Sequence, residues 1–362
     1  MMIRILQFLI FISIFILIYG GMNYYVLSRL TTLLGFKKNI LFYLTVLIVS
    51  LAYPFFSFLE KRFLNFATKG LYFIASLWMG IAFLFLCILI IHELIGLFAK
   101  LNPFYSAISI IVIVAILTIF SIINALSVSV QEVNLISDNT SNNISENITF
   151  VQWSDVHLGS VRNSDFLTIL VDKTNKINPD FVVITGDLID GTAHLSNNML
   201  KKVDELNAPV YFVTGNHETY EDSDKISTII NQTKIISLND EQKTIKGVNL
   251  IGFSYEQDKT KFINKLSRFK QIKEDFSILL NHAPMNPSLA NQYGFDLVLS
   301  GHTHNGQIFP FNLIVKLFFP TVNGLYRYKD TILYVSPGTG TWGPYMRLGS
   351  KNEITVFNLI KE

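Results

Sequence analysis

The chain has 362 residues, of which half are hydrophobic and 15% are charged, so it is too apolar for an ordinary soluble enzyme. Residues 1–126 hold eight basic and two acidic groups; subtracting these from the totals of 29 and 27 leaves 21 basic and 25 acidic groups in the rest. A net charge of about −4 there argues against nucleic acid as a partner, and a single cysteine, Cys87, excludes an internal disulfide and a cysteine-based zinc site.

Four stretches near the start of the chain contain no Asp, Glu, Lys or Arg: residues 5–27, 40–59, 70–91 and 103–126. Each has at least 20 residues, which is the length of helix that crosses the hydrocarbon core of a bilayer. The first stretch is too long for the apolar core of a signal peptide and lacks a clear cleavage site, so we interpret it as an uncleaved helix. The sequence therefore predicts a transmembrane domain of four helices over residues 1–127.

Four helices would place the N-terminus and the C-terminal domain on the same side of the membrane. Four basic residues flank the helices on each side, so the positive-inside rule does not decide which side that is. No Lys or Arg lies between the last stretch and Arg162, and Asn139, Asn143 and Asn147 each begin a glycosylation sequon. These features favour a multi-pass protein of the cell membrane whose C-terminal domain is extracytoplasmic.

The stretch that follows the last helix is polar and rich in Asn and Ser, with no apolar periodicity. We interpret residues 128–147 as a linker. It leads into a third region, residues 148–362, whose composition is that of a soluble globular domain.

Five short apolar runs in this third region each end in polar residues that can bind metal. The runs cover residues 148–153, 181–185, 210–214, 278–280 and 297–299, and amphipathic stretches near residues 165–177, 198–206, 223–231 and 286–293 separate some of them. Strands that alternate with helices predict α/β architecture. Because ligands gather beyond the carboxyl ends of the strands in such sheets, these polar side chains are expected to meet at one place.

The polar side chains at the strand ends form one chemical set, with imidazole and oxygen donors and no thiolate. The predicted metal ligands are Asp155, His157, Asp187, Asn216, His282, His302 and His304. Such a set suits Mn²⁺, Fe²⁺ or Zn²⁺, of which we favour Mn²⁺. Seven ligands are too many for one ion but suit two divalent ions that share a carboxylate.

These blocks resemble the calcineurin-like metallophosphoesterase superfamily. The pattern of that superfamily, Asp-x-His, Gly-Asp, Gly-Asn-His-Glu, a single His and Gly-His-x-His, is present in order, from Asp155 to His304. The continuation Asn305-Gly-Gln resembles the membrane-anchored prokaryotic branch, except that Asn305 replaces a glycine. That position is expected to need a positive φ, which Asn tolerates.

The resemblance implies two packed mixed sheets flanked by helices and a dinuclear site. It implies that Asp155, His157, Asp187 and His304 bind one ion, and that Asp187, Asn216, His282 and His302 bind the other. It also implies that His217 is not a ligand but the catalytic acid for the leaving group. Asp190 and Glu218 are the candidate carboxylates for orienting His217.

The predicted function is metal-dependent hydrolysis of a phosphate monoester, a phosphodiester or a pyrophosphate. Tethering at a bilayer makes a lipid-linked substrate one candidate. Residues 309–320 are unusually apolar, and they suit contact with the membrane, contact with an acyl chain, packing in the core or packing against the transmembrane helices. The alternatives are a transporter or sensor with a regulatory metal-binding domain, which the lack of charges inside the helices disfavours, and a metal-binding module without turnover.

Overall fold

The computed structural model describes residues 2–137, 146–190, 195–196, 198–220, 223–270 and 275–361. The chain divides into two compact units. The first comprises Met1–Ile123 and the short segment Gly343–Met346, and the second comprises Asn124–Trp342 and Arg347–Glu362.

The first unit is built from long helices. They are α1 (Met2–Leu33), α2 (Ile40–Arg62), α3 (Phe66–Gly96) and most of α4 (Pro103–Leu126). Among the described residues, α2, α3 and α4 are long and apolar enough to cross a membrane. Helix α1 covers the first predicted span, but the count of four spans is not established and stays a prediction.

Polar side chains fix where these helices begin and which helices contact each other. Asn39 and Asn65 accept hydrogen bonds from backbone amides in the first turns of α2 and α3, which satisfies donors that a helix start leaves free. Between α1 and α3, the Arg29 guanidinium lies 2.5 Å from the Glu93 carboxylate.

The second unit contains two six-stranded mixed sheets. The first has the strand order β1-β12-β2-β3-β4-β5 and the second β10-β11-β9-β8-β7-β6. The strands are β1 (Val128–Ser137), β2 (Ile148–Trp153), β3 (Phe181–Thr185), β4 (Val210–Val213), β5 (Ile235–Ser237), β6 (Glu241–Ile245), β7 (Val248–Gly252), β8 (Phe276–Leu280), β9 (Leu297–Ser300), β10 (Gly324–Tyr328), β11 (Thr331–Val335) and β12 (Asn352–Lys361).

Helices accompany both sheets. They are α5 (Ser164–Ile177), α6 (Asn216–Thr219), α7 (Ser223–Asn231), α8 (Lys259–Arg268), α9 (Pro287–Gln292) and α10 (Phe311–Phe318), with 3₁₀ turns at Lys201–Glu205 and His304–Gly306. The stretch predicted as a helix at residues 198–206 is helical only over the first of these 3₁₀ turns, so that prediction was too generous.

Alternation along the strands produces the layers, because successive side chains of a strand point to opposite faces. Phe150 and Phe181 pack between the two sheets, with Ile278 and Leu297 of the second sheet. Their neighbours, such as Val151, face the outer side, where α5 and α7 cover the first sheet. Helices α8 and α9 cover the outer face of the second sheet. The predicted fold of two mixed sheets flanked by helices is therefore confirmed.

One prediction about the boundary was wrong. Residues 128–137, expected as part of a linker, form β1, which pairs in parallel with β12 along its whole length. The pairing buries Leu135 against the core between the sheets. Residues 138–145, with Asn139 and Asn143, lie outside the described residues.

The end of α4 is part of the second unit and leads directly into its first sheet. Ser127 alone separates α4 from β1. The carbonyl of Ala125 accepts hydrogen bonds from the buried Arg162 guanidinium (2.7 Å) and from the Asn352 amide (2.8 Å), which satisfies an acceptor that a helix end leaves free. Buried hydrogen bonds thus hold the last turn of α4 within the second unit.

Candidate metal centre

All seven predicted ligands follow strands and come together at one edge of the two sheets. Asp155 and His157 follow β2, Asp187 follows β3, and Asn216 opens the one-turn helix α6 after β4. His282 follows β8, and His302 and His304 follow β9. Because β2, β3 and β4 are parallel, as are β8 and β9, their carboxyl ends meet at the same edge.

The backbone at these strand ends is unusual for residues that carry a side chain. Asp155, His157, Asp187, His302 and His304 all have a positive φ, between 50° and 69°. Such conformations are rare for residues other than glycine and persist where the surrounding structure enforces them, often at functional sites. Asn305 has the φ of 49° expected for it.

Two glycines of the sequence blocks are required by close approach. A Cβ at Gly301 would lie 1.9 Å from Ser154 Oγ and 2.1 Å from Asp155 Oδ2. A Cβ at Gly215 would lie 2.1 Å from Asp187 Oδ1. The glycine of Gly-His-x-His and that of Gly-Asn-His therefore make room for carboxylates of the site.

The first group of donors is Asp155, His157 and His304, with Asp187 beside it. His157 Nε2 lies 3.0 Å from His304 Nε2, which in turn lies 3.4 Å from Asp155 Oδ1. Burial lowers the pKa of both histidines well below its ordinary value, so both rings are neutral. Buried imidazole nitrogens that converge beside carboxylates are the arrangement that a divalent cation requires.

The second group is Asp187, Asn216, His282 and His302. His282 Nε2 lies 2.9 Å from Asn216 Oδ1, 3.1 Å from His302 Nδ1 and 3.3 Å from Asp187 Oδ2. His282 Nδ1 lies 2.8 Å from the Thr185 carbonyl, which fixes the ring so that Nε2 faces the other donors. Burial lowers the pKa of His302 to about 4, and the charge of His282 acts in the same direction.

Asp187 lies between the two groups. Its Oδ2 is 3.3 Å from His282 Nε2 and 3.8 Å from His157 Nε2. Burial opposes ionisation of Asp187, but the positive charge of His282 outweighs it and lowers the pKa of the carboxyl. Burial likewise opposes protonation of His282, yet the Asp187 charge raises its pKa to about 10. The centre of the site therefore attracts positive charge, and the residues fit a divalent metal pair.

His217 lies beside the first group and contacts a carboxylate. Its Nδ1 is 3.4 Å from Asp190 Oδ1, and its ring packs edge-on against His157, with centroids 4.6 Å apart. Burial lowers the pKa of His217, but Asp190 and Asp187 outweigh burial and raise it. Of the two carboxylates considered for orienting His217, Asp190 is the one that contacts the ring.

Glu218 has a different role, since it holds the backbone of the site. Its carboxylate accepts hydrogen bonds from the amides of Asp187 (3.0 Å), Ile189 (3.0 Å) and Gly215 (2.7 Å). Burial and the charge of Asp187 raise the pKa of Glu218 to about 7, although the amides of Ile189 and Gly215 act in the opposite direction. Glu218 thus joins the loops that follow β3 and β4.

Two supporting residues were not given a role from sequence. Arg347 is fully buried and donates to the carbonyls of His304 (3.0 Å) and Pro337 (2.8 Å), so it anchors the loop of a predicted ligand. Asn216 Nδ2 donates to the Tyr220 hydroxyl at 3.1 Å, which turns Oδ1 toward the site. The spacing of four residues on a helical turn was the available signal for Tyr220.

Comparison with known proteins agrees with this geometry. Residues 148–306 match the family described as calcineurin-like phosphoesterase. An uncharacterized metallophosphoesterase from Campylobacter jejuni is 32% identical over 97% of this chain and 98% of its own length. One from Helicobacter pylori is 34% identical over 60% of this chain and 61% of its own. A zebrafish (Danio rerio) transmembrane protein with a metallophosphoesterase domain is 29% identical over 70% of this chain and 62% of its own length.

Proposed function

The chain belongs to the calcineurin-like metallophosphoesterase family, and from that premise we propose that it is a membrane-anchored hydrolase of phosphate esters or pyrophosphates that uses two divalent metal ions. The observation that carries the proposal is the convergence of seven buried or half-buried donor residues, with Asp187 between the other six. Such a set has no evident use in a binding module that leaves phosphate esters intact.

Each metal ion would be held by four residues. Asp155, His157 and His304 would hold one ion, and Asn216, His282 and His302 the other. Asp187 would be shared, because its Oδ2 is within 3.8 Å of a donor in each group. We favour Mn²⁺, since imidazole and carboxylate donors without thiolate suit it.

Bound divalent ions supply a nucleophilic water of lowered pKa and offset negative charge on a phosphoryl group. The residues of the chain do the rest. His217 donates a proton to the leaving oxygen, because it is the histidine beside the donors that is assigned to neither ion, and the family resemblance gives it this role. Asp190 holds the His217 ring in position from 3.4 Å. General-acid help of this kind typically accelerates a reaction by about 10²–10⁴-fold.

The helices of the first unit would anchor the hydrolase in a membrane. Three of them are long and apolar enough to cross it, and relatives carry the description of transmembrane proteins. We propose α1 as a fourth span. The second unit would lie on the extracytoplasmic side, which the absence of basic residues between α4 and Arg162 favours.

The test is a metal-dependent assay of the full chain in lipid nanodiscs. Protein stripped of metal with a chelator is expected to be inactive and to regain turnover of bis-p-nitrophenyl phosphate or p-nitrophenyl phosphate with Mn²⁺. A lipid pyrophosphate is the third substrate. The ratio of the turnover rates of the three substrates shows whether the enzyme is a monoesterase, a diesterase or a pyrophosphatase. Two bound ions per chain without turnover of any substrate would support the binding module instead.

A further inference from the structure

One helix of the second unit presents apolar side chains that no described residue of the chain covers. No residue of α10 is buried. Six large apolar side chains in residues 309–318, which we call the apolar segment, are exposed: Phe309, Phe311, Leu313, Ile314, Leu317 and Phe318. Leu317 and Phe318 are 80% and 75% exposed. Core packing, one of the four roles considered from sequence, is therefore excluded.

Exposure of this density requires a partner. Single exposed apolar residues are common on protein surfaces, but a contiguous apolar patch marks a binding surface for another molecule or a membrane. The other exposed apolar residues of the second unit, such as Ile169 on α5, are more scattered along the chain. The apolar segment is thus a distinct surface.

The covalent link between α4 and the second unit indicates which partner the apolar segment contacts. The unit begins at Asn124, in the last turn of the candidate span α4, and one residue separates α4 from β1. Buried hydrogen bonds from Arg162 and Asn352 fix that junction. A unit tethered this closely to a span stays at the bilayer surface, so a bilayer is always within reach.

The composition of the apolar segment fits the boundary between lipid headgroups and acyl chains. It contains three Phe, with Leu, Ile and Val, and its one charged residue is Lys316. A short helix of large apolar side chains with a basic residue is the type that lies in the membrane interface, where the cation contacts anionic headgroups.

The apolar segment is also joined to the metal centre at both ends. His304, a proposed ligand, begins the 3₁₀ turn that precedes it. Phe319, which follows it, packs edge-on against His302, with ring centroids 5.1 Å apart. A membrane contact by the apolar segment would therefore hold the metal centre beside the headgroups.

We propose that residues 309–318 insert into the surface of the bilayer and bring the metal centre to phosphate groups of lipid-linked substrates there. The membrane contact follows from the exposed side chains and the tether, whereas the substrate class rests on the proposed hydrolase function. Two separate measurements test the two parts.

The first measurement is the depth of a spin label. Leu317→Cys in a Cys87→Ser background is labelled in nanodiscs that hold one chain and contain anionic phospholipid, with Ile169→Cys as the matched exposed control. The label at 317 is expected to collide preferentially with oxygen, and that at 169 with an aqueous nickel chelate. Equal access of the chelate to both labels would overturn the contact.

The second measurement compares two substrates. The variant with Leu317→Ser and Phe318→Ser is expected to keep its turnover of soluble bis-p-nitrophenyl phosphate and to lose about tenfold or more of its turnover of a lipid pyrophosphate embedded in the nanodisc. Ile169→Ser should change neither rate. Equal retention of both activities would overturn the substrate class. Lack of soluble turnover in the unsubstituted chain would contradict the hydrolase function and leave the depth result intact.

Discussion

At the scale of single residues, Asp187 and His217 have distinct positions that imply distinct losses. Asp187 contacts donors of both groups, whereas His217 lies beside them and pairs with Asp190. The side chain of Asp187 is buried among histidines. Its removal would take away the carboxylate that both proposed ions share and leave only the neutral donors and Asp155.

His217→Ala is expected to keep its metal and lose about 10²–10⁴-fold in turnover of esters with poor leaving groups, because general-acid help is removed and the ligands are not. Asp187→Ala is expected to lose metal as well as activity. Metal content by mass spectrometry beside kcat for each variant checks both. If His217→Ala lost both ions, our assignment of its role would be wrong.

Glu218 makes a separate residue-scale prediction, which concerns stability. In the unsubstituted chain the Glu218 carboxylate accepts hydrogen bonds from three backbone amides. In Glu218→Gln, one carboxylate oxygen is replaced by an NH₂ group, which donates and therefore faces a backbone N–H without an acceptor between them. Leaving a buried donor unsatisfied costs about 1–3 kcal/mol. Thermal inactivation should therefore shift to lower temperature, whereas the control Glu205→Gln, at an exposed position, should not move it. An unchanged inactivation temperature for Glu218→Gln would show that these amides find other partners.

At the scale of elements, the parallel strand ends explain the site, and β1 explains the domain boundary. Strands β2, β3 and β4 deliver Asp155, Asp187 and Asn216 to one edge. The first strand delivers no ligand. It covers the edge of β12 that would otherwise be unpaired, and an open edge invites aggregation.

Neighbouring residues of β1 offer a matched test of that role. Leu135 is 1% exposed and Ile136 is 55% exposed. Leu135→Ala should lower the free energy of unfolding by about 3 kcal/mol, since it opens a cavity in the core, and Ile136→Ala should change it little. The temperature at which each variant loses activity in detergent, compared with that of the unsubstituted chain, measures the two effects. Equal small shifts would mean that β1 does not pack as the structure shows.

At the scale of the whole molecule, a metallophosphoesterase domain follows long apolar helices, and one residue separates α4 from β1. This order has two consequences for the proposed function. The helices would confine the second unit to the membrane surface, and the number of spans would decide on which side of the membrane it lies.

The proposed extracytoplasmic orientation makes a whole-molecule prediction. Protease added to intact spheroplasts of a bacterial host should cleave the second unit, because no membrane would protect it. An antibody against a C-terminal tag follows the loss of the fragment, and a cytoplasmic host protein serves as the control. Protection in intact spheroplasts together with cleavage after lysis would place the unit inside the cell.

The sequence by itself determined which polar side chains lie at the strand ends and which strands they follow, and the ligand roles stay a prediction. Strands β2 and β3 were predicted with the bounds that the structure has, because both faces are buried and the runs are short and apolar. The local spacing of Asp155, His157, His302 and His304 depends on turns of a few residues, so a short sequence block is enough to specify it.

Only the tertiary structure decided what depends on contacts between distant residues. Strand β1 pairs with a strand more than 220 residues away, and its polar, alternating sequence looks like a linker until β12 lies beside it. The choice of Asp190 over Glu218 beside His217, and the exposure of α10, likewise depend on which side chains meet in space. Local sequence fixes backbone turns and side-chain chemistry, whereas edge pairing and burial are set by partners that the local sequence does not contain.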